Sequence, residues 1–329
     1  MRLSPSDEPS VATAWSRRMG LRIPLVNAPM GGVAGGRLAA AVIAAGGLGM
    51  IGMGSAGSVA ALERELPHVR GIDGPLGIGL VDWVVAAQPE LLNVAIAAQP
   101  ALISVSFGVD LDWVARVTAA GIVPATQVYS AQDARRAQDA GVGLLVARGM
   151  EGGGHGAVTR PLLPLLDEVL DVASVPVLAA GGIGSSSDLA AVLLAGASGA
   201  WLGTCLAACS ESLLSEAGRQ ALLAARSNDT VVTRAFDVGM ELPWPARFPA
   251  RVLRNGFAER WNGREGLLAA DPSAKNALAA GIAANDPDVA PVDAGQGVGM
   301  VTAVEPAARV IERLWLGATA HITCRPAEE

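Results

Sequence analysis

The chain has 329 residues with 24 Lys and Arg against 31 Asp and Glu, so its formal net charge is −7. This length is ample for one large α/β domain. The 51% hydrophobic and 17% charged residues exclude disorder as the dominant state, and the acidic balance argues against nucleic acid as a partner. Three cysteines, none in a CxxC, and a polar N-terminal segment predict a reduced, cytoplasmic protein. The apolar run 38–54 is too short and too rich in glycine to predict a membrane span.

Eight short apolar runs alternate with Ala- and Leu-rich helical segments over the first two thirds of the chain. They predict strands at Pro24–Met30, Leu48–Met53, Leu76–Val81, Leu102–Phe107, Ile122–Gln127, Gly143–Ala147, Val175–Ala180 and Gly199–Leu202. Continuous apolar runs are typical of parallel strands covered on both faces. Eight βα units favour an α/β fold of the (β/α)8 TIM-barrel type over an open doubly wound sheet. The first strand also lacks the GxGxxG that follows it in dinucleotide-binding folds.

The pattern changes after Thr204. Residues 211–297 predict a helical and loop excursion, with Trp244 held between two prolines, and a final helix follows at Pro306–Trp315. We therefore expect residues 1–210 and 298–329 to form the barrel and 211–297 to cap its mouth.

Active sites of such barrels lie at the carboxyl ends of the strands. The seventh predicted strand ends at Gly181-Gly182, before a serine-rich helix start, and the eighth ends at Gly203-Thr204. Backbone amides exposed by glycine, together with a helix N-terminus, form a phosphate site at this position of a barrel. A tight turn alone would explain one such glycine pair, but two on adjacent strands predict a bound phosphate group.

The sixth predicted strand runs into the segment from Arg148 to Gly156, RGMEGGGHG, in which glycines surround His155. Such a backbone can pass close to a flat ligand while an imidazole enters the mouth as acid, base or hydrogen-bond donor. A purely structural histidine is the competing interpretation. Glu151 could pair with Arg148, orient His155 or be a surface carboxylate. His68, His321 and the cysteine pair Cys205 and Cys209 show no cluster that predicts a metal site.

These motifs together resemble the nitronate monooxygenase family, formerly called 2-nitropropane dioxygenases. The resemblance rests on Ala28-Pro29-Met30, GMEGGGHG at 149–156, AAGGIG at 179–184, Gly203-Thr204 and Gly295-Gln296-Gly297, in that order along the chain. It implies an FMN-dependent TIM barrel in which an alkyl nitronate and O2 give a carbonyl compound and nitrite. His155 matches the catalytic histidine of the family. The implied FMN contacts are Pro29, Met30, Gly31, Gln127, Arg148, Gly153, Gly154, Gly181, Gly182, Gly203, Thr204 and Gln296.

Two positions depart from the family pattern. Gly79 stands where many members have an Asn, and Arg148 stands where a Gln is usual. A cation at 148 could stabilise reduced flavin or bind an anionic substrate. It could equally indicate a different substrate.

Three other functions stay open at this point. An NAD(P)H-dependent FMN reductase of the enoyl-ACP or quinone reductase type would use the same scaffold. A flavin-free barrel for a phosphorylated metabolite would need a nucleophilic cysteine at the mouth, and a non-catalytic FMN-binding protein would keep only the loops. The expected partners are a small-molecule substrate and O2, with no nucleic acid, membrane or metal. Apolar residues of the excursion could form a homodimer face.

Overall fold

A computed structural model describes residues 11–323 and shows a barrel of eight parallel strands. The eleven strands are β1 (Leu25–Asn27), β2 (Gly49–Met53), β3 (Leu76–Val81), β4 (Leu102–Ser106), β5 (Val123–Val128), β6 (Leu144–Arg148), β7 (Gly154–His155), β8 (Val177–Ala180), β9 (Gly199–Leu202), β10 (Thr230–Thr233) and β11 (Ala250–Leu253). The barrel order is β1-β9-β8-β6-β5-β4-β3-β2, with every neighbouring pair parallel. The predicted TIM-barrel fold is confirmed.

One polar side chain closes the barrel between β1 and β2. A single backbone bridge, Val26 with Leu48, joins these strands. Beyond it, the fully buried Asn27 amide accepts a hydrogen bond from the Met50 N–H (2.7 Å) and donates one to the Met50 carbonyl (2.8 Å). The Asn27 amide thus replaces the missing rung of the ladder and satisfies two buried backbone groups.

Helices surround the barrel and fill the excursion. They are α1 (Ala14–Arg18), α2 (Gly36–Ala44), α3 (Val59–Glu65), α4 (Asp82–Ala87), α5 (Pro89–Ala97), α6 (Trp113–Ala119), α7 (Ala131–Asp139), α8 (Leu162–Leu170), α9 (Ser186–Leu194), α10 (Thr204–Ala207), α11 (Glu216–Ala224), α12 (Ala235–Gly239), α13 (Gly256–Trp261), α14 (Glu265–Ala269), α15 (Pro272–Ala284) and α16 (Ala307–Thr323). Short 3-10 helices lie at Leu66–Val69, Ser227–Asp229 and Gln296–Met300. The C-terminal helix α16 packs against α9 and α2, where it completes the outer ring.

Both faces of the barrel strands are buried, which explains their continuous apolar sequences. One cluster of buried side chains, including Val26, Met50, Leu102, Val146 and Trp201, packs separately from the large cluster that the strands form with the helices. Trp15 of α1 belongs to the smaller cluster. The strand side chains therefore alternate between two apolar environments, as a closed parallel barrel requires.

The excursion adds a small antiparallel sheet to the barrel. Strand β10 pairs with β11, and β11 pairs with the two-residue strand β7, so that Ala250 lies opposite His155. This three-stranded antiparallel sheet was not predicted. Phe236, Phe257, Trp261, Leu268 and Leu278 form a core of their own beside the sheet. The division of the chain at 210 and 298 stays a prediction, but the excursion is joined by backbone hydrogen bonds to the loop that carries His155.

Across residues 11–323, none of the helices combines the length and apolar character that crossing a membrane requires.

Candidate active site

Four backbone segments meet at the carboxyl end of the barrel. They are the loop after β6, the turns after β8 and β9, and residues 293–297. The Gly295 N–H donates to Thr204 Oγ1 (2.9 Å), and the Gln296 N–H donates to the Glu151 carbonyl (2.9 Å). Gly297 packs against Gly182, because a Cβ at 297 would lie 2.7 Å from the Gly182 carbonyl oxygen. The predicted Gly295-Gln296-Gly297 motif therefore ties the three strand ends together.

The four residues predicted to bind phosphate follow directly after the neighbouring strands β8 and β9. Gly181 and Gly182 have positive φ angles of 118° and 69°, which glycine adopts without strain. Gly203 is different: its φ is −107°, and a Cβ would meet no atom closer than Met30 Sδ at 3.8 Å. Neither a positive φ nor packing within the protein requires a glycine there. Close approach of a ligand would require one, and all four residues are partly exposed, so the residues present fit a bound phosphate group.

Arg148 organises the loop that follows β6. Its side chain is buried, and Nη2 lies 3.0 Å from each of the carbonyl oxygens of Gly152, Gly153 and Gly154. Burial lowers the pKa of the guanidinium, and the nearby carboxylates of Asp293 and Glu151 oppose that shift. Because these carbonyl oxygens accept its hydrogen bonds, the cation clamps the loop.

Each glycine of this loop has an internal neighbour that explains it. A Cβ at Gly152 would lie 3.1 Å from Arg148 Cζ, and one at Gly156 would overlap the same guanidinium. Gly153 packs on the backbone of residues 294–295, and Gly154 has a φ of 68°. The glycines were predicted to admit a flat ligand. Their contacts show that the space left by the missing side chains is occupied by Arg148 and by the 293–297 segment.

Glu151 does not have either of the partners considered for it. Both carboxylate oxygens accept from the backbone N–H of Leu162 at 3.0 Å, at the first residue of α8. No hydrogen bond joins Glu151 to Arg148 or His155 within residues 11–323. Of the three alternatives considered for Glu151, neither a hydrogen bond to Arg148 nor one to His155 is formed, because the uncapped N-terminus of α8 attracts the negative charge.

His155 lies at the end of the clamped loop and is held from two sides. Its Nε2 is 2.8 Å from Asp237 Oδ1, and the side chains are 16% and 3% exposed respectively. The indole of Trp244 stacks on the imidazole, with ring centroids 3.6 Å apart and planes inclined by 5°. The imidazole therefore has a fixed plane and a fixed carboxylate partner.

Aromatic side chains extend from Trp244 across the ends of β3, β4 and β5. Trp83 and Phe107 pack edge-on against Trp244, and Phe107 and Tyr129 pack against Phe248. The Trp244 indole N–H donates to Ser55 Oγ (3.0 Å), so the excursion is anchored to the loop after β2. The side of the mouth facing the strands β3 to β5 is consequently apolar, and the side formed by β8 and β9 is polar.

Asp237, Asp293 and Trp244 had no predicted functional role. Asp237 comes from the short helix α12, 82 residues beyond His155. Asp293 is exposed, yet it interacts electrostatically with both His155 and Asp237. The two acidic residues are near neighbours of His155 only through the fold. The one available signal was the hydrophobic context of Asp237 between Phe236 and Val238, which predicts a buried carboxylate in need of a partner.

The other predicted ligand contacts lie around the same mouth. Met30 is next to Gly203, and the Pro29 ring occupies the space that a Cβ at Gly79 would take, which explains the departure at 79. The Gln127 side-chain oxygen accepts from Tyr129 Oη (3.0 Å). Gly31 and Gln296 are exposed, and of the twelve predicted contacts Arg148 alone is buried.

Cys205 and Cys209 are buried as free thiols, and burial raises the pKa of Cys205 to about 12. Thiols held in that state are poor nucleophiles, which disfavours the alternative of a metabolite barrel with a catalytic cysteine. Cys324 lies outside the described residues.

A TIM barrel with glycine-lined amides after β8 and β9 and a histidine loop after β6 is suited to a flavin-dependent oxidoreductase. The comparisons with known proteins agree. The family model "Nitronate monooxygenase" matches residues 13–317, and the chain belongs to that family. It is similar to a nitronate monooxygenase of Paraburkholderia phytofirmans, at 30% identity over 77% of each chain. It is also similar to a (3aS,4S,5R,7aS)-5-hydroxy-7a-methyl-1-oxo-octahydro-1H-indene-4-carboxyl-CoA dehydrogenase of Rhodococcus jostii, at 32% identity over 79% of this chain and 72% of the other.

Two solved structures extend the likeness over nearly the whole chain. FabK of Thermotoga maritima superposes with a TM-score of 0.82 at 26% identity, covering 94% of this chain and 97% of that one. Nitroalkane oxidase of Streptomyces ansochromogenes superposes with a TM-score of 0.79 at 28% identity, covering 93% and 99%.

Proposed function

We propose that the protein is an FMN-dependent nitronate monooxygenase that converts an alkyl nitronate and O2 into a carbonyl compound and nitrite. The observation that carries the proposal is that His155 is held between Asp237 and Trp244 at the same end of the barrel as the open backbone of Gly203. A phosphate-bearing cofactor and a small substrate would therefore share one mouth, as an oxidation at a flavin requires.

Residues that follow β8 and β9 would hold the phosphate of FMN, and residues that follow β1 and β6 would border its ring. The first group is Gly181, Gly182, Gly203 and Thr204, and the second is Pro29, Met30, Gly31, Gly153 and Gly154, with Gln127 and Gln296 at the edges. FMN, when bound, would supply the electron transfer between substrate and O2. His155 would bind the nitronate or remove a proton from a neutral nitroalkane, and the aromatic side chains around Trp244 would receive its alkyl group and exclude water.

The likeness to FabK supports a second candidate, an NAD(P)H-dependent flavin reductase on the same scaffold. One experiment separates the two. The purified protein is denatured, its released flavin is identified by chromatography, and nitrite release from propyl-2-nitronate in air is measured. The absorbance of the bound flavin is then followed under anaerobic conditions after addition of NADH or NADPH.

Bound FMN and nitrite release without bleaching by either nucleotide are expected. Rapid bleaching without nitrite would establish the reductase instead. Protein that contains no flavin and takes none up would refute both candidates.

A further inference from the structure

The hydrogen bond to Asp237 determines which nitrogen of His155 is free. A carboxylate only accepts hydrogen bonds, so the 2.8 Å contact places a hydrogen on Nε2 of the neutral imidazole. Nδ1 is then the ring nitrogen with an unshared electron pair. No side chain or backbone group within residues 11–323 forms a hydrogen bond with Nδ1, so it remains available to a ligand.

Within residues 11–323, His155 is the one hydrogen-bond partner of the Asp237 carboxylate. Its side chain is 3% exposed, and Oδ2 has no hydrogen-bond partner in the part of the chain that the structure describes. A buried carboxylate with one satisfied oxygen is stabilised when the neighbouring ring carries a positive charge. Asp293 also interacts with the ring by charge from the 293–297 segment, whereas Arg148 directs its guanidinium to the loop carbonyls. The carboxylates of Asp237 and Asp293 are thus the acidic groups near the ring, and the guanidinium of Arg148 is engaged by the loop carbonyls.

Trp244 fixes the remaining freedom of the ring. Because the indole lies parallel to the imidazole at 3.6 Å, rotation of the ring out of its plane would collide with the indole. The carboxylate sets the direction of Nε2, and the stacked indole sets the plane, so Nδ1 has one orientation. Preorganisation of this kind is what a base needs in order to meet a substrate C–H bond.

We infer that Asp237 is a positioning residue that keeps the hydrogen of His155 on Nε2, so that Nδ1 is the atom that receives the substrate proton. With a neutral nitroalkane the C–H bond breaks, its electron pair stays on the substrate as the nitronate, and the proton forms an Nδ1–H bond. The resulting imidazolium is stabilised by Asp237. With a preformed nitronate there is no proton to remove, so this substrate does not need Nδ1 as a base.

The role in catalysis rests on the proposed function, whereas the tautomer of His155 does not. The chain has three histidines, His68, His155 and His321. The holoprotein is labelled with 15N in histidine alone, and ring nitrogen shifts are recorded at a pH where the imidazoles are neutral. His155→Gln identifies the His155 signals. We expect protonated Nε2 and unprotonated Nδ1 for His155 in the wild type.

Asp237→Asn should reverse this tautomer, because an amide N–H can donate to Nε2 and leave the ring hydrogen on Nδ1. Asp293→Asn is the matched control: it removes the neighbouring carboxylate that has no hydrogen bond to His155, and the wild-type tautomer should persist. A merely structural role for Asp237 would change stability without reversing the tautomer.

The activity readout compares nitroethane with ethyl nitronate. For Asp237→Asn we expect kcat/KM to fall by about 100-fold or more with the neutral nitroalkane, since general-base catalysis contributes on that order. It should fall less than about 10-fold with the nitronate. A wild-type spectrum with the hydrogen on Nδ1, or equal losses with both substrates, would overturn the inference. If neither substrate is oxidised by the wild type, the proposed function fails while the spectrum still decides the position of the hydrogen.

Discussion

Replacement of Arg148 distinguishes a clamp for the loop from a contact to the flavin. Arg148→Met keeps much of the side-chain length but leaves the carbonyl oxygens of Gly152, Gly153 and Gly154 without their 3.0 Å donor. Nη2 carries two hydrogens, which the three carbonyl oxygens share, and a hydrogen bond from a charged donor contributes roughly 1.5–3 kcal/mol net. We therefore expect a loss of about 3–6 kcal/mol in the free energy of unfolding.

Urea unfolding of the holoprotein, followed by far-ultraviolet circular dichroism, measures this loss. Arg148→Gln is the control, because its amide can still donate to the loop and should lose less stability than the Met variant. If Arg148→Met unfolds within about 1 kcal/mol of the wild type and yet is purified without flavin, the side chain serves the cofactor directly and the clamp is refuted.

Three further changes test other contacts of the fold. Asn27→Ala leaves the N–H and carbonyl of Met50 buried without partners, so urea unfolding should show a loss of about 2–4 kcal/mol. Asn27→Asp keeps the acceptor but buries a carboxylate against the Met50 carbonyl, so it should lose at least as much. A loss below about 1 kcal/mol for Asn27→Ala would contradict the role of this amide in closing the barrel. Burial raises the pKa of Cys205 from 9.0 to about 12, so the contribution of the buried thiol to stability is complete below pH 9 and falls by about 1.4 kcal/mol per pH unit between pH 9 and 12. The difference in the free energy of urea unfolding between wild type and Cys205→Ala should therefore decrease from pH 9 to 12, and a constant difference would contradict the raised pKa. Trp244→Ala should lower the free energy of unfolding by about 3–5 kcal/mol and raise kcat/KM for branched relative to linear nitronates. Trp244→Phe should keep the wild-type preference because a ring still covers His155. If the ratio of kcat/KM for branched and linear nitronates is unchanged in Trp244→Ala, the alkyl group of the substrate does not lie against Trp244.

The barrel could be predicted from the sequence because its signal is local. Strands such as Val177–Ala180 and Gly199–Leu202 are buried along their whole length, so each is a continuous apolar run that ends at a turn. The antiparallel pair of β10 and β11 gave no such signal, since a helix and a proline-rich loop separate the two strands in the sequence. Strand β7 has two residues and exists only because β11 lies beside it. Pairing at this distance along the chain is set by the fold.

The same distinction applies to the site. His155 and the glycines of β8 and β9 lie at strand ends, which a barrel brings together whatever the details of the excursion. Asp237 reaches His155 only through the path of the excursion, so its local sequence shows a buried acid but not the partner. Arg148 was considered for the flavin or an anionic substrate, because a lone cation at a barrel mouth suggests a negative ligand. The competing partners, three uncharged carbonyl groups of its own loop, become visible only in three dimensions.

Arg148 also changes how cofactor binding should be understood in this chain. A glycine-rich loop is commonly expected to become ordered when its ligand arrives, at a cost in conformational entropy. In this loop the glycines 152 and 156 pack against the guanidinium, Gly153 packs on residues 294–295, and Gly295 is bonded to Thr204. The contacts that hold the loop are therefore made by the protein itself, from Arg148 on β6, Thr204 after β9 and residues 294–295 of the excursion. Flavin would meet a loop that is already in place, and His155 would keep its position between Asp237 and Trp244 because the protein alone maintains it.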